Sequence, residues 1–170
     1  MVALEADRIL ECLERHRVRY VVIGGLAAVL HGSPQVTFDA DICPAVDPGN
    51  LEALAAALCE LDARIRTADA PSGLRFACDA AFLSRLSLLN LVTRFGELDL
   101  SFAPSGTRGY PDLQQHSVAM RVADYEVQVA ALEDVIRSKE AANRPKDQRA
   151  LPLLRQLLGE IRARREPKKS

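Results

Sequence analysis

The chain has no tryptophan, and aromatic residues make up only 5 % of its 170 positions, so stacking platforms for single-stranded nucleic acid are not indicated. No apolar run approaches the ~20 residues that a transmembrane helix requires. Glu5 and Asp7 stand where a signal peptide is basic and then apolar. These absences lead us to expect a cytoplasmic protein with no membrane partner. The four cysteines, Cys12, Cys43, Cys59 and Cys78, form no Cys-x-x-Cys pair. They read as reduced, mostly buried small residues without a nearby histidine partner, so neither a disulfide framework nor a zinc site is expected. Internal repeats and long low-complexity segments are also lacking. The length suits one domain over 1–170, with an α/β core over 1–129, a helical part over 130–165 and a tail over 166–170.

Charge is balanced overall, at −1, but unevenly placed. From Val135 to Ser170 there are 11 basic and 4 acidic residues, and the rest of the chain has 11 basic and 19 acidic. A basic C-terminal third suits contact with phosphate or folded RNA, and equally suits a solvated helix ending in a frayed tail.

The densest chemical signal lies between Tyr20 and Ile42. Tyr20-Val-Val-Ile23 reads as a short buried strand, Gly24-Gly25 breaks it, and Leu26 to Leu30 suits the start of a helix. Glycines at such a junction let backbone approach a phosphate. Then come Thr37, Asp39 and Asp41 at alternate positions. In a strand over 36–43 these three share one face, and Val36, Phe38, Ala40 and Ile42 take the other. Adjacent carboxylates repel unless a cation lies between them, and Mg²⁺ favours such oxygen ligands together with substrate phosphates. Alone, Asp39-x-Asp41 fits a metal site or a solvated strand face equally well. The glycine pair upstream favours the metal site.

A third acid is available on a second strand with the same alternation, Glu97-Leu-Asp99-Leu-Ser101-Phe102. Glu97 opens that strand and Asp99 lies within it, on the same face. Farther on, Leu132, Val135 and Ile136 mark a buried helical stripe, with Lys139 near the same face, where a lysine either has a specific partner or snorkels to the surface.

The remaining pattern is α/β. Ala6, Ile9, Leu10 and Leu13 recur at helical spacing, and Asp47-Pro48 opens a helix through about Leu61. Strands are expected at 74–78, 86–93, 97–102, 117–122 and 125–129, with room for a helical turn in 80–90. A Pro/Gly/Ser-rich loop is expected over 104–111. Helices are expected at 131–142 and 146–163, the second kinked or delayed in its start by Pro152.

Gly24-Gly25 followed by Asp39-Ala40-Asp41 resembles the signature of the nucleotidyltransferase superfamily related to DNA polymerase β. More narrowly, Val-Ile-Gly-Gly-Leu-Ala-Ala-Val-Leu-His-Gly with Thr37-x-Asp39-x-Asp41 is similar to small bacterial nucleotidyltransferases of the AbiEii type, including mycobacterial MenT-like toxins. The resemblance extends over roughly residues 4–160 and implies a mixed twisted sheet flanked by helices, with C-terminal helices. It implies Mg²⁺ or Mn²⁺ on Asp39, Asp41 and Asp99, with a nucleoside triphosphate as substrate and its phosphates near Gly24, Gly25, Thr37, Lys139 and Arg144. Asp147 would help order the site, and Lys146 is a weaker match. The implied acceptor is the 3′ end of tRNA; relatives instead modify protein hydroxyls or aminoglycosides, and a non-catalytic binding module is a further reading. A cognate antitoxin is an implied partner, with Thr37 a place for inhibitory phosphorylation. Two residues depart from the pattern: Phe38 stands where many relatives carry arginine, and Ala40 replaces a larger apolar residue.

Overall fold

A computed structural model describes residues 2–166; the last residues of the expected tail, 167–170, lie outside the described residues. The chain begins with α1 (Ala6–Arg15), β1 (Tyr20–Ile23), α2 (Gly24–Leu30), β2 (Asp39–Pro44) and α3 (Pro48–Glu60). It continues through β3 (Arg64–Ile65), α4 (Ala80–Leu83), β4 (Leu88–Thr93), β5 (Gly96–Ser101) and α5 (Tyr110–His116). A hairpin, β6 (Val118–Val122) and β7 (Tyr125–Val129), leads into α6 (Leu132–Ala142) and α7 (Pro145–Arg165).

The strands form one seven-stranded sheet in the order β3-β4-β5-β2-β1-β7-β6. It is mixed: β2–β5 and β1–β7 run parallel and the other pairs antiparallel. Alternation decides what each central strand buries. Ala40, Ile42, Leu98 and Leu100 are fully enclosed, and the polar residues between them face the other way. α1 and α3 contribute Ile9, Leu10, Leu13, Leu51, Leu54 and Leu58 to the same core.

Several expectations need correction. β2 begins at Asp39, not Val36, and Phe38 and Val36 are 75 % and 77 % exposed instead of facing the apolar side. Alternation in 36–38 therefore does not reflect pairing. The segment 74–78 is not a strand; among the described residues it makes one isolated bridge, Leu74 to Ile65, because the neighbouring β3 has two residues. Part of the expected loop over 104–111 belongs to α5, whose short sequence buries a single leucine, Leu113, and so carries little helical periodicity. Pro152 does not delay α7. The helix starts at Pro145, with Asp147 accepting from the Arg144 backbone N–H, and runs past Pro152.

One buried side chain joins the turn before β1 to the start of α3. Asn50 Nδ2 donates to the carbonyls of Arg19 (2.9 Å) and Ala45 (2.8 Å), and its Oδ1 accepts from the Arg19 N–H at 2.7 Å. Replacing Asn50 by alanine strands these backbone groups. Asn50→Ala should lower unfolding stability by about 2–3 kcal/mol in urea titration; a loss under about 0.5 kcal/mol would contradict this role.

Candidate active site

The sheet register brings the acids together. β2 and β5 are parallel neighbours in which Asp39 lies beside Glu97 and Asp41 beside Asp99. Carboxylate oxygens of Asp39, Asp41 and Asp99 all lie within 4.8 Å of one another. On its other side β2 pairs with β1, where Ile23 is opposite Asp41. Gly24 follows directly, at φ +62°, and a Cβ there would stand 2.5 Å from Asp41 Oδ2. Gly25 is similarly close to Thr37, with a virtual Cβ 3.0 Å from its Oγ1. The glycine pair thus provides backbone room against the acids. Thr37 lies before β2, and its hydroxyl bonds to the Asp39 carbonyl (3.0 Å) and Oδ1 (3.2 Å), bracing that residue.

Crowding of negative charge shows in the proton affinities. Burial, then the charges of Asp39 and Asp99, raises the Asp41 pKa to about 7, against the opposing pull of Lys146 and Lys139. Burial also raises that of Asp99, with Arg66 opposing. Arg66 Nη2 is 3.0 Å from Asp99 Oδ1 and 3.4 Å from Glu97 Oε2. Sequence reasoning missed Arg66. It follows a two-residue strand too short to show alternation, and only the pairing of β3 and β4 sets it beside the acids.

The cations converge from α6 and α7. Asp147, whose side chain is fully buried, accepts from Arg144 Nε at 2.7 Å and Lys139 Nζ at 3.4 Å. Burial would raise its pKa, but the hydrogen bond and charge of Arg144 and the charge of Lys139 outweigh this and lower it. Asp147 does not line the cleft; it aims Lys139 and Arg144, which do. Lys146 and Arg149 join them on the same wall, and nothing in the pattern around Arg149 singles it out. At the far end of α2, His31 Nε2 donates to the Ala130 carbonyl at 2.8 Å and ties the glycine-led helix to the entry of α6.

The result is an open cleft of about 1080 Å³. Its floor is Gly24, Gly25, Asp39, Asp41 and Asp99. One wall is cationic, from α6 and α7. The other is formed by β4, β5 and the loop after them, including Ser87, Leu88, Asn90, Glu97 and Ser101.

No family model and no curated protein matches the chain. Solved structures do. The lincosamide antibiotic adenylyltransferase LnuA, with lincomycin bound, aligns over 92 % of this chain and 99 % of its own at 16 % identity and a TM-score of 0.62. A Thermotoga maritima protein, TM1012, whose nucleotidyltransferase assignment is itself provisional, aligns over 94 % and 96 % at 18 % identity and a TM-score of 0.55. The antibiotic-resistance factor ANT(2'')-Ia aligns over 92 % and 89 % at 16 % identity and a TM-score of 0.54. The chain has the nucleotidyltransferase fold. Its acid cluster sits on two adjacent strands of that fold, β2 and β5.

The acid cluster fits a hard divalent cation. The donors are all carboxylate oxygens, and the excess negative charge that raises Asp41 is what such an ion would neutralise. The raised pKa also sets the pH dependence of stability without metal. Folded Asp41 holds its proton more tightly than the unfolded chain. The resulting stability is therefore complete below the ordinary 3.8 and disappears as pH rises through about 7. Asp41→Asn should make the chelator-treated protein more stable at pH 8 by about 2–4 kcal/mol and flatten its urea stability profile between pH 4 and 8; an unchanged profile would contradict the assignment. Gly24→Ala places a methyl against Asp41 at a positive φ. It should keep the helical circular dichroism while weakening Mn²⁺ binding, followed by paramagnetic resonance, by at least about tenfold, since the methyl displaces the Asp41 carboxylate from the cluster; the positive φ costs a further ~1–2 kcal/mol of stability.

Proposed function

We propose that the protein is a metal-dependent nucleotidyltransferase that moves a nucleoside monophosphate from a nucleoside triphosphate to an acceptor hydroxyl. The observation that carries this reading is the convergence of Asp39, Asp41 and Asp99 opposite Lys139 across one cleft. Asp39 and Asp41, with Asp99, would hold Mg²⁺ or Mn²⁺, which when bound supplies charge neutralisation at the phosphates. Gly24 and Gly25 leave backbone room for phosphate oxygens. Asp99 accepts the proton of the acceptor hydroxyl as its oxygen bonds to the α-phosphorus, and the bond from that phosphorus to the β-phosphate oxygen breaks. Pyrophosphate leaves toward Lys139 and Lys146, with Arg144 at the rim. Catalysis is then positioning and electrostatic stabilisation.

The wall beyond Asp99 favours a small acceptor. It offers hydroxyls from Ser87 and Ser101, the amide of Asn90, the acid of Glu97 and the exposed apolar Leu88. Its cation, Arg66, is already engaged by Asp99 and Glu97. Such a surface suits a compact polyhydroxylated molecule bearing amino groups, whereas RNA phosphates would meet Glu97. The antibiotic-modifying activities named for the structural neighbours agree with this choice. A second reading, transfer to the 3′ end of tRNA by a toxin-type enzyme, has support from Lys146 and Arg149, which form no ion pair among the described residues. Against it, Arg155 and Arg162 of the basic α7 are paired with Glu140 and Glu133.

Incubation of the purified protein with each labelled nucleoside triphosphate, Mg²⁺, and either an aminoglycoside and lincosamide panel or total tRNA distinguishes the acceptors. Label is expected in the small-molecule fraction, and Asp41→Ala should reduce it by at least about 10²–10³-fold. Label in tRNA would replace the first reading with the second. Absence of label in the small molecules, in tRNA and in the protein itself would overturn the enzymatic proposal.

A further inference from the structure

A separate cluster lies between α1 and α3, and none of its residues lines the active-site cleft. Cys12 and His16 are four residues apart, so the turns of α1 and its C-cap carry them on one side. Glu60, the last residue of α3, meets them there. The Cys12 sulfur, a His16 ring nitrogen and a Glu60 oxygen all lie within 4.8 Å of one another. The sequence expectation of cysteines without a histidine partner is therefore incorrect for Cys12. Its partner stands one helical turn on, a spacing that a search for Cys-x-x-Cys pairs passes over.

We propose that Cys12, His16 and Glu60 form a zinc site, separate from the acid cluster and open to solvent at its fourth position. The donor set is one thiolate, one imidazole and one carboxylate, a mixture that selects Zn²⁺ over Mg²⁺. Tetrahedral zinc places its ligand atoms about 3.5 Å apart, given bonds of ~2.3 Å to sulfur and ~2.0 Å to nitrogen, so modest side-chain rotation closes the site. Cys12 is 2 % exposed and forms the inner end. Its thiol makes a long contact, 3.7 Å, to the Ala57 carbonyl, which a metal bond would replace. His16 and Glu60, with side chains 26 % and 42 % exposed, form its solvent-facing end.

The charges around the cluster are compatible with this. His16 Nε2 and Glu60 Oε2 are already joined at 2.6 Å, and the ion would replace that hydrogen bond. Arg15 Nη2 donates to the other oxygen, Oε1, at 2.5 Å, fixing the carboxylate while leaving Oε2 for the metal. Burial, and after it the charge of Glu60, raises the Cys12 thiol to about 11, with Arg15 and Arg94 opposing. Zinc binding expels that thiol proton to solvent and leaves Cys12 as thiolate. No oxidation or reduction is involved. A bound ion would staple the C-terminal ends of α1 and α3.

The test uses the full chain stripped with chelator. Co²⁺ added as a probe should give the visible bands of a tetrahedral site together with a thiolate-to-cobalt charge-transfer band, and Zn²⁺ should displace it. Cys12→Ser should abolish the charge-transfer band. His16→Gln and Glu60→Gln, at accessible positions where folding is not at risk, should each weaken Zn²⁺ affinity by at least about tenfold in competition titrations. The double change Asp39→Asn, Asp41→Asn should leave the band intact, which separates this site from the acid cluster. Absence of the band, its survival in Cys12→Ser, or unaltered affinity in His16→Gln would overturn the proposal.

Discussion

Mutual repulsion of Asp39, Asp41 and Asp99 is the constraint on which the rest of the architecture depends. Three carboxylates within 4.8 Å would move apart in a flexible chain. Here two of them are locked two residues apart on β2, and the third is set beside Asp41 by the parallel pairing of β5. Packing beneath them, from Ala40, Ile42, Leu98 and Leu100, keeps that register because a slip of one residue would invert both faces. The sheet thus stores unfavourable electrostatic energy in a place where a bound cation would release it.

Neighbouring elements are arranged around the same charge. Gly24 gives Asp41 space that any side chain would occupy, and Thr37 braces Asp39. Arg66 partly neutralises Asp99 from the β3 side. Across the cleft, Lys139 and Arg144 are held by Asp147, an acid that never reaches the cleft but decides where two cations point. The cleft therefore has an anionic floor, a cationic wall and a mostly neutral wall. On the proposed function, that division would set a triphosphate against the cations and its acceptor against the other wall.

The sequence made much of this legible, and each success has a local cause. The strand over 20–23, the break at Gly24 and the two acid-bearing strands followed from periodicity and glycine. The helix opened by Asp47-Pro48 followed from capping, since the Asp47 side chain accepts from the Asn50 N–H at 3.1 Å. What failed was signal without a partner to enforce it. Val36 to Phe38 alternates like a strand yet has nothing to pair with, 74–78 meets only a two-residue edge, and α5 buries too little to show its period.

By itself the sequence determined the acid-bearing strands, the glycine junction upstream of them and the basic helical end, because alternation, backbone freedom and charge are properties of neighbouring residues. Only the tertiary structure decided that Asp99 stands next to Asp41, that Arg66 reaches it, and that Asp147 lies behind Lys139 instead of in the cleft. It also decided that Glu60 meets Cys12 and His16. Those pairings join residues between 8 and 58 positions apart, and their geometry is set by sheet register and helix packing. Local patterning carries no record of which strand or helix face will lie alongside.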